Sequence, residues 1–505
     1  MLLHFPHPLL LILSFFILFC IALLQLRHRN SPTHHGPPTY PLIGCLISFY
    51  ANRNRLLHWY THLLSHSPTN TIHVHRLGAP RTIITANPHN VEYILKTNFL
   101  NFPKGKPFTD ILGDFLGHGI FNVDGDLWRT QRKLAAHEFT GRSLRTFVIH
   151  TLEEEARERL LPVMEALCVK EQAVDLQELL ARFSFNVICK ITLGVQVCCL
   201  DPSVPVSPLV KAFDVASEIS ARRGAAPLFV IWKVKRWVGI GSERRLKEAV
   251  GKVRSHVMEL IRERKKMMMR KMNEGREDLL SRLICRGYEE DMIRDMLISF
   301  MMAGRDTTSA AMTWFFWLLS QHPEVEEQVV EETQQVNVEE ALEYESLEKL
   351  KFLKACLCES MRLYPPVAWD SKHAIVDDLL PDGTVVKAGD RVTYFPYGMG
   401  RMEALWGENR LEFRPDRWFV ERDSVERTMT KVSPFKFPIF HAGPRVCLGK
   451  EMAFIQMKHV VVSILRRFRI QRIRPDKPLL VPLLTAQMAG GLSVLICKRE
   501  KEADR

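Results

Sequence analysis

The sequence lacks the patterns that identify zinc-binding, disulfide-rich or nucleic-acid-binding proteins. Its eleven cysteines are scattered, with no paired C-x-x-C spacing and no compact disulfide framework. An odd number of cysteines in a long chain indicates reduced thiols in a reducing compartment. No basic block is interleaved with aromatic residues, so we expect no nucleic-acid partner. The net charge of +12 fits an anionic membrane surface, an acidic protein partner or an ordinary basic surface.

Two further patterns are absent. No repeat period of roughly 20–50 residues recurs, which excludes a solenoid. Gly117 and Gly119 are not followed by the third glycine of a dinucleotide-binding loop, so any electrons must come from another protein. The chain nevertheless has 505 residues, 46% of them hydrophobic and 9% aromatic, which is enough for a large globular core.

The longest apolar run lies at the amino terminus. Residues 9–26 are apolar except for Ser14 and Gln25, and Arg27 and Arg29 follow directly. At about 1.5 Å per residue the run spans roughly 27 Å, close to the thickness of a bilayer core. A cleaved signal peptide would have basic residues before the run and a small-residue cleavage site after it. We therefore predict an uncleaved transmembrane anchor, with the body of the protein on the cytosolic side.

The chain divides at this anchor, which we assign to residues 1–30. Residues 31–44 contain four prolines and are interpreted as a stiff hinge, and residues 45–505 form the remaining domain. A β-hairpin is predicted over 71–86, and 385–395 is expected to be extended. Long helices are predicted over 153–167 (with a kink at Pro162), 176–193, 243–270 and 289–321. The expected fold class is mainly α with small β-sheets (α+β), a single large helical domain.

The most specific motif is FHAGPRVCLG, which spans Phe440 to Gly449 and precedes a predicted helix. A thiolate that binds a metal needs backbone donors and the positive potential of a helix start to keep it deprotonated. Gly443 and Gly449 permit a tight turn and the close approach of a flat cofactor. Cys447 is therefore the predicted metal ligand.

This motif resembles the cysteine loop of the cytochrome P-450 superfamily, and three further segments stand in the family's order. The family's oxygen-activating helix resembles the segment AGRDTT at residues 303–308. Its E-x-x-R motif is present as ESMR at residues 359–362, and its meander motif resembles FRPDRW at residues 413–418. Each motif alone is weak, but the ordered set spans the chain and is specific. The resemblance implies the cytochrome P-450 fold, haem b and a monooxygenase that uses O2. It also implies electrons from NADPH through an NADPH–cytochrome reductase on the endoplasmic reticulum membrane.

The resemblance also assigns roles near the iron. Thr307 is expected to turn its hydroxyl to a backbone carbonyl, which opens a groove for dioxygen and water, and Asp306 is the candidate proton source. Neighbouring Arg305 could instead neutralise Asp306. A triad of Glu359, Arg362 and Arg417 is expected to be structural, because carboxylate–guanidinium pairs would lock the E-x-x-R helix to the meander.

The remaining cofactor contacts follow from the same likeness. Trp128 and Arg132 lie four residues apart on one helix face and resemble the family's W-x-x-x-R, which binds a haem propionate. Arg445 and Lys372 are predicted as further propionate donors, and Phe440 as a cofactor contact.

The substrate is inferred by likeness alone. Four segments resemble plant fatty-acid ω-hydroxylases, in a subfamily that includes jasmonoyl-isoleucine hydroxylases. They are NFPKGKPF (101–108), LGHGIFNVDGDLW (116–128), DSKHAIVDDLLPDGT (370–384) and YGMGRMEALWG (397–407). No basic residue is assigned to a substrate carboxylate. Ala303 stands where some relatives attach haem covalently through a glutamate, so the haem is expected to be dissociable. Pocket candidates, each of which could also be ordinary core, are Phe108, Ile111, Ala303, Val367, Ala368, Trp369, and Gln487 or Met488.

The leading hypothesis is therefore hydroxylation of a fatty acid at its terminal or near-terminal carbon. Within the same subfamily, 12-hydroxylation or oxidation of jasmonoyl-isoleucine is the alternative. A haem-thiolate isomerase of fatty-acid hydroperoxides would need neither O2 nor reductase, and Thr307 and the undisturbed cysteine loop argue against it. A non-catalytic haem carrier is disfavoured by the intact pair of Asp306 and Thr307.

Overall fold

The computed structural model of the protein describes residues 15, 36–40, 43–139, 142–197, 200–226, 228–270, 278–335, 342–420, 428–475 and 477–499. Helices dominate this part of the chain and short strands form small sheets, as predicted. The predicted anchor lies outside the described residues except for Phe15, and the predicted hinge is described only in part. Within the described ranges, no helix is both long and apolar enough to span a bilayer.

The α-helices, in chain order, are α1 (Leu46–Ala51), α2 (Leu56–Ser65), α3 (Pro88–Glu92), α4 (Lys106–Leu116), α5 (Gly125–Phe139), α6 (Arg142–Glu155), α7 (Leu161–Val169), α8 (Leu176–Leu193), α9 (Pro208–Ala225), α10 (Phe229–Val238), α11 (Gly241–Met269), α12 (Leu279–Cys285), α13 (Glu290–Leu319), α14 (Pro323–Gln334), α15 (Tyr344–Lys349), α16 (Lys351–Leu363), α17 (Pro396–Met399), α18 (Glu403–Trp406) and α19 (Lys450–Leu465). The strands are β1 (Thr71–Val74), β2 (Thr82–Thr85), β3 (Val174–Asp175), β4 (Asp370–His373), β5 (Asp378–Leu379), β6 (Val385–Val386), β7 (Arg391–Tyr394), β8 (Phe468–Arg472), β9 (Leu480–Pro482), β10 (Ala486–Met488) and β11 (Ser493–Lys498).

The helix predicted over 153–167 is interrupted. Helix α6 ends at Glu155, a π-helical turn spans Ala156–Leu160, and α7 follows. Pro162 lies in the first turn of α7, where the N–H group that proline lacks has no intrahelical partner to lose. A wide π-helical turn therefore precedes the proline at which a kink was predicted.

Helix α13 crosses the interior and packs against α8, α16 and α19. Its last ten residues, 310–319, are apolar except for Thr313, and Trp314, Phe315 and Phe316 are fully buried there, as expected for an enclosed helix. Earlier in the helix the small residues Ala303 and Gly304 line a cavity.

The largest sheet has the strand order β1–β2–β7–β4. Strands β1 and β2 form the predicted antiparallel hairpin, β7 runs parallel to β2, and β4 runs antiparallel to β7. The register pairs Thr82 with Arg391, and Asp370 with Tyr394. Alternate residues of a strand share a face, so Arg391 and Thr393 lie on one face of β7, and both line the cavity.

Three groups of buried apolar side chains surround this cavity. One includes the second half of α13 with α16 and α19, the second includes α4 with α9 and α11, and the third lies between α2 and the four-stranded sheet. Met457, Ile111 and Tyr60, one from each group, contribute to the cavity wall. The fold thus places one internal space where its three cores meet.

Candidate functional site

The cavity has a volume of about 430 Å³. Its wall is formed by α4, α13, strands β2 and β7, the segment after α16 and the loop before α19. Within the described ranges, Cys447 is the cysteine in this wall, and the other free cysteines lie elsewhere. The predicted metal ligand and most of the predicted substrate pocket therefore share one space.

The Cys447 loop follows a 3-10 turn over Gly443–Arg445 and leads into α19. The backbone N–H of Cys447 donates to the Phe440 carbonyl at 2.8 Å, which closes the loop. Gly443 has a φ of +65°, and a Cβ there would lie 2.0 Å from the Leu95 carbonyl oxygen. Only glycine fits that position, as the motif predicted.

The charge state of Cys447 is set by opposing influences. Burial deep in the molecule raises the pKa of the thiol, whereas the Gly449 backbone N–H and the charges of Arg132 and Lys450 lower it. The side chain is exposed to the cavity itself. A cationic metal at this point would add to the lowering influences and hold the thiolate.

The α13 wall contains the predicted oxygen-activating residues. Thr307 Oγ1 donates to the Ala303 carbonyl at 2.6 Å, the backbone hydrogen bond expected from the sequence, and both residues line the cavity. Asp306 is buried but is outside the cavity lining. Burial raises its pKa, and the charge of Arg305 opposes this. Arg305 itself forms an ion pair with Asp214 of α9 and lies 3.4 Å from Asp306.

Two arginines and a tryptophan among the predicted cofactor contacts lie beside Cys447. Trp128, Arg132 and Arg445 all line the cavity, and the Arg445 guanidinium lies 4.5 Å above the Trp128 ring. Arg445 Nη2 donates to Asp124 at 2.7 Å, but its buried Nε has no hydrogen-bond partner in the described part of the chain. A haem propionate is the kind of acceptor that this donor lacks.

Lys372, predicted as a propionate donor, lies apart from the other predicted cofactor contacts. Lys372 is fully buried outside the cavity lining, and its Nζ donates to Asp370 Oδ2 at 2.9 Å. Lys104 lines the cavity instead and donates to Asp370 Oδ1 at 2.5 Å. Strand β4 therefore turns Lys372 away from the cavity, and no local motif identifies Lys104, which reaches the site from the loop before α4.

These side chains fit haem b. A thiol faces the cavity from one side, small residues of α13 face it from another, and Phe440 lies in the wall against Phe454, with ring centroids 5.3 Å apart. At the rim the cations Arg132, Arg445 and Lys104 exceed the neighbouring acids, which suits the two propionates of the cofactor.

The triad of Glu359, Arg362 and Arg417 lies outside the cavity lining. Arg362 donates to the Glu359 carboxylate with Nε and Nη2, both at 2.8 Å, and Arg417 Nε donates to it at 2.8 Å. Glu359 and Arg362 are fully buried. The triad joins α16 to the 3-10 turn Pro415–Trp418, an arrangement that can stabilise the fold and cannot touch a ligand.

Most predicted pocket residues line the cavity: Phe108, Ile111, Ala303, Val367, Ala368 and Trp369. Met488 does not, because β10 directs it into the core, while its backbone pairs with the Gln177 side chain at 2.8 and 3.0 Å. The residues before β10 take its place, and sequence reasoning missed them: Leu483, Leu484 and Thr485.

Comparison with known proteins agrees with this geometry. The sequence model of the family described as Cytochrome P450 matches residues 35–489. Cytochrome P450 94B1 of Arabidopsis thaliana is 56% identical over 494 residues, covering 97% of this chain and 96% of that protein. Cytochrome P450 94A1 of Vicia sativa is 45% identical and covers 92% and 91%. The solved heme domain of cytochrome P450DA has a TM-score of 0.76 over 92% of this chain and 98% of that chain, at 19% identity, a likeness of fold.

Proposed function

This chain belongs to the cytochrome P450 family and binds haem b through a cysteine thiolate, and we propose that it hydroxylates the terminal or near-terminal carbon of fatty acids. The family consists of monooxygenases that use O2 and a redox partner. The observation that supports this substrate is the cavity wall between the β2–β7 strands and Cys447, which is largely apolar and includes Ile111, Val367 and Leu484. An acyl chain placed there gains about 0.8 kcal/mol for each buried CH₂ group.

The catalytic roles that we propose follow from position. Cys447 is the thiolate ligand, and the bound haem supplies oxygen activation, which a thiolate favours by donating electron density. Thr307 directs its hydroxyl proton to the Ala303 carbonyl, so its oxygen lone pairs can accept a hydrogen bond from an ordered water in the cavity. Asp306 precedes Thr307 in the sequence, and because burial raises its pKa its carboxyl group can hold a proton there.

The cellular setting is also a proposal. The apolar run at 9–26, followed by Arg27 and Arg29, supports an anchor in the endoplasmic reticulum membrane with residues 45–505 in the cytosol. An NADPH-dependent reductase on the same membrane would supply electrons. Extraction of membranes with alkaline carbonate tests the anchor, and release of the intact chain into the supernatant would contradict it.

Turnover with purified reductase and NADPH tests the function. Long-chain fatty acids and jasmonoyl-isoleucine are supplied in parallel, and products are located by mass spectrometry. We expect hydroxylation at the chain end that depends on NADPH. Preferential oxidation of jasmonoyl-isoleucine would identify the conjugate as the substrate. Conversion of a fatty-acid hydroperoxide without NADPH would support the isomerase, and no conversion of any lipid would support the haem carrier.

The ligand is tested spectroscopically on the same protein. We expect the reduced carbon monoxide complex to show the thiolate-shifted Soret band and Cys447→His to abolish it. Cys285→Ser is the control, because Cys285 is an exposed cysteine outside the cavity.

A further inference from the structure

Two arginines line the part of the cavity next to strands β2 and β7. The Arg76 guanidinium lies 5.6 Å and the Arg391 guanidinium 5.5 Å from the centroid of the same ring, Phe229. The charge of Arg76 lowers the pKa of Arg391, so the two guanidinium groups are near enough to repel one another. Both belong to the wall that also contains Cys447.

Within the described ranges, these charges have no carboxylate as a counter-ion. In the part of the chain that the structure describes, neither guanidinium pairs with a carboxylate, and Arg391 Nε is buried without an acceptor. Asp390, the adjacent acid, is already bound by Arg81, whose Nε lies 3.0 and 2.9 Å from its two oxygens. Burial, together with the nearby charge of Arg76, lowers the pKa of Arg391 to about 10. Such a pair is unfavourable unless an anion from outside joins it.

The surroundings complete a site for an anionic head group. The buried side chain of Tyr60 lies in the same wall, and burial raises the pKa of its hydroxyl, which therefore stays protonated as a donor. Arg391 begins β7 and Tyr394 ends it, about 10 Å away at a rise of ~3.3 Å per residue. Tyr394 contacts Asp370, the partner of the rim lysine Lys104. The arginine pair is thus separate from the propionate donors.

We infer that Arg76 and Arg391 bind the carboxylate of the substrate, with the Tyr60 hydroxyl as a third donor. The acyl chain then extends along the apolar wall and presents its far end near Cys447. The inference rests on the proposed function, since oxidation at the chain end needs the head group held away from the iron. The carboxylate of an amino-acid conjugate would be recognised in the same way.

Equilibrium binding to the full-length haem-loaded protein tests this, with the substrate-induced shift of the Soret band as the signal. In the wild-type protein we expect dodecanoate to bind at least tenfold more tightly than its methyl ester. Arg391→Gln and Arg76→Gln should each weaken dodecanoate about 10- to 100-fold, the range for a charged hydrogen bond, and leave the ester within about twofold. Arg53→Gln, which removes an exposed charge outside the cavity, should change neither Kd.

Several results would overturn the inference. Equal affinity for acid and ester in the wild-type protein would do so without any variant. Equal weakening of both ligands by Arg391→Gln would indicate a structural role for the arginine. Dodecyl phosphate that binds more tightly than dodecanoate would assign the pair to a phosphate head group. Selective binding of the acid without turnover would instead contradict the proposed function, because binding and oxidation are measured separately.

Discussion

Arg417 Nε donates to Glu359 Oε1 at 2.8 Å, across the junction between helix α16 and the 3-10 turn Pro415–Trp418. The same carboxylate accepts from Arg362, from the Arg414 backbone N–H at 3.0 Å and from Trp418 Nε1 at 3.0 Å. One buried side chain therefore satisfies donors from two elements. Trp418 packs in turn on Phe437, with ring centroids 4.7 Å apart, and so connects the junction to the segment before the Cys447 loop.

The first prediction concerns this carboxylate. Glu359→Gln removes its charge and leaves the fully buried Arg362 guanidinium without its counter-ion, a loss of about 3–5 kcal/mol. We expect a lower midpoint in chemical denaturation and a parallel loss of the carbon monoxide signal. Glu408→Gln, at an exposed position nearby, is the control and should change little. Full haem content and normal stability combined with poor turnover in Glu359→Gln would argue for a catalytic role instead.

The parts of the site predicted correctly depend on short-range sequence. The Cys447 loop and the Thr307 hydrogen bond are made within a few residues, so a string of ten or fewer letters encodes them. The Glu359 junction joins distant segments, but each segment has its own motif. These features were therefore accessible from resemblance together with local chemistry.

The differences between the predicted and the observed site depend on tertiary structure. Lys104 and Lys372 both bind the Asp370 carboxylate, one on each oxygen, and the orientation of β4 decides which lysine faces the cavity. Arg76 and Arg391 come from segments far apart in sequence and meet at the β2–β7 strands, so neither looks unusual in its own segment. The spacing of apolar residues predicted the long helices, but it did not predict the π-helical turn before Pro162.

The second prediction separates the two lysines. Lys104→Gln removes a cation from the cavity rim, whereas Lys372→Gln removes a fully buried partner of Asp370. Burial alone would raise the pKa of Asp370, but Lys104 and Lys372 hold it well below its usual value. We expect Lys104→Gln to accelerate haem loss to a scavenger protein several-fold, and Lys372→Gln chiefly to lower the denaturation midpoint. The reverse pattern would restore Lys372 as the propionate donor.

The third prediction concerns pH. Burial raises the pKa of Asp306, so the folded protein binds a proton there over a range in which the unfolded chain has released it. The contribution to stability is therefore full below the unfolded value, about 3.9, and falls as pH rises through the raised folded value. Asp306→Asn should remove this decline, measured as denaturation midpoints across a pH series. Asp291→Asn, an exposed acid on the same helix, should leave the slope as in the wild-type protein.

The fourth prediction concerns the close approach of α13 and α8. A Cβ on Gly304 would lie 2.6 Å from Cδ1 and 2.7 Å from Cγ1 of Ile188. Overpacking costs about 1–3 kcal/mol, and alanine in place of glycine in a helix gains about 1 kcal/mol, so Gly304→Ala should be neutral to destabilising by about 2 kcal/mol. Gly304 and Ile188 both line the cavity, so substrate binding should weaken with stability.

Two control variants, Gly251→Ala and Ile188→Ala, separate the cost of overpacking from the gain in helix propensity. At Gly251, in the interior of α11, a Cβ would meet nothing within 4 Å, so Gly251→Ala should stabilise the protein by about 1 kcal/mol. An Ile188→Ala background removes the two nearest atoms and leaves the Cβ position 3.2 Å away, so Gly304→Ala should become stabilising as well. A double-mutant cycle on denaturation free energies measures the change of sign. If Gly304→Ala costs the same in both backgrounds, contact with Ile188 is not what requires glycine beside the cavity.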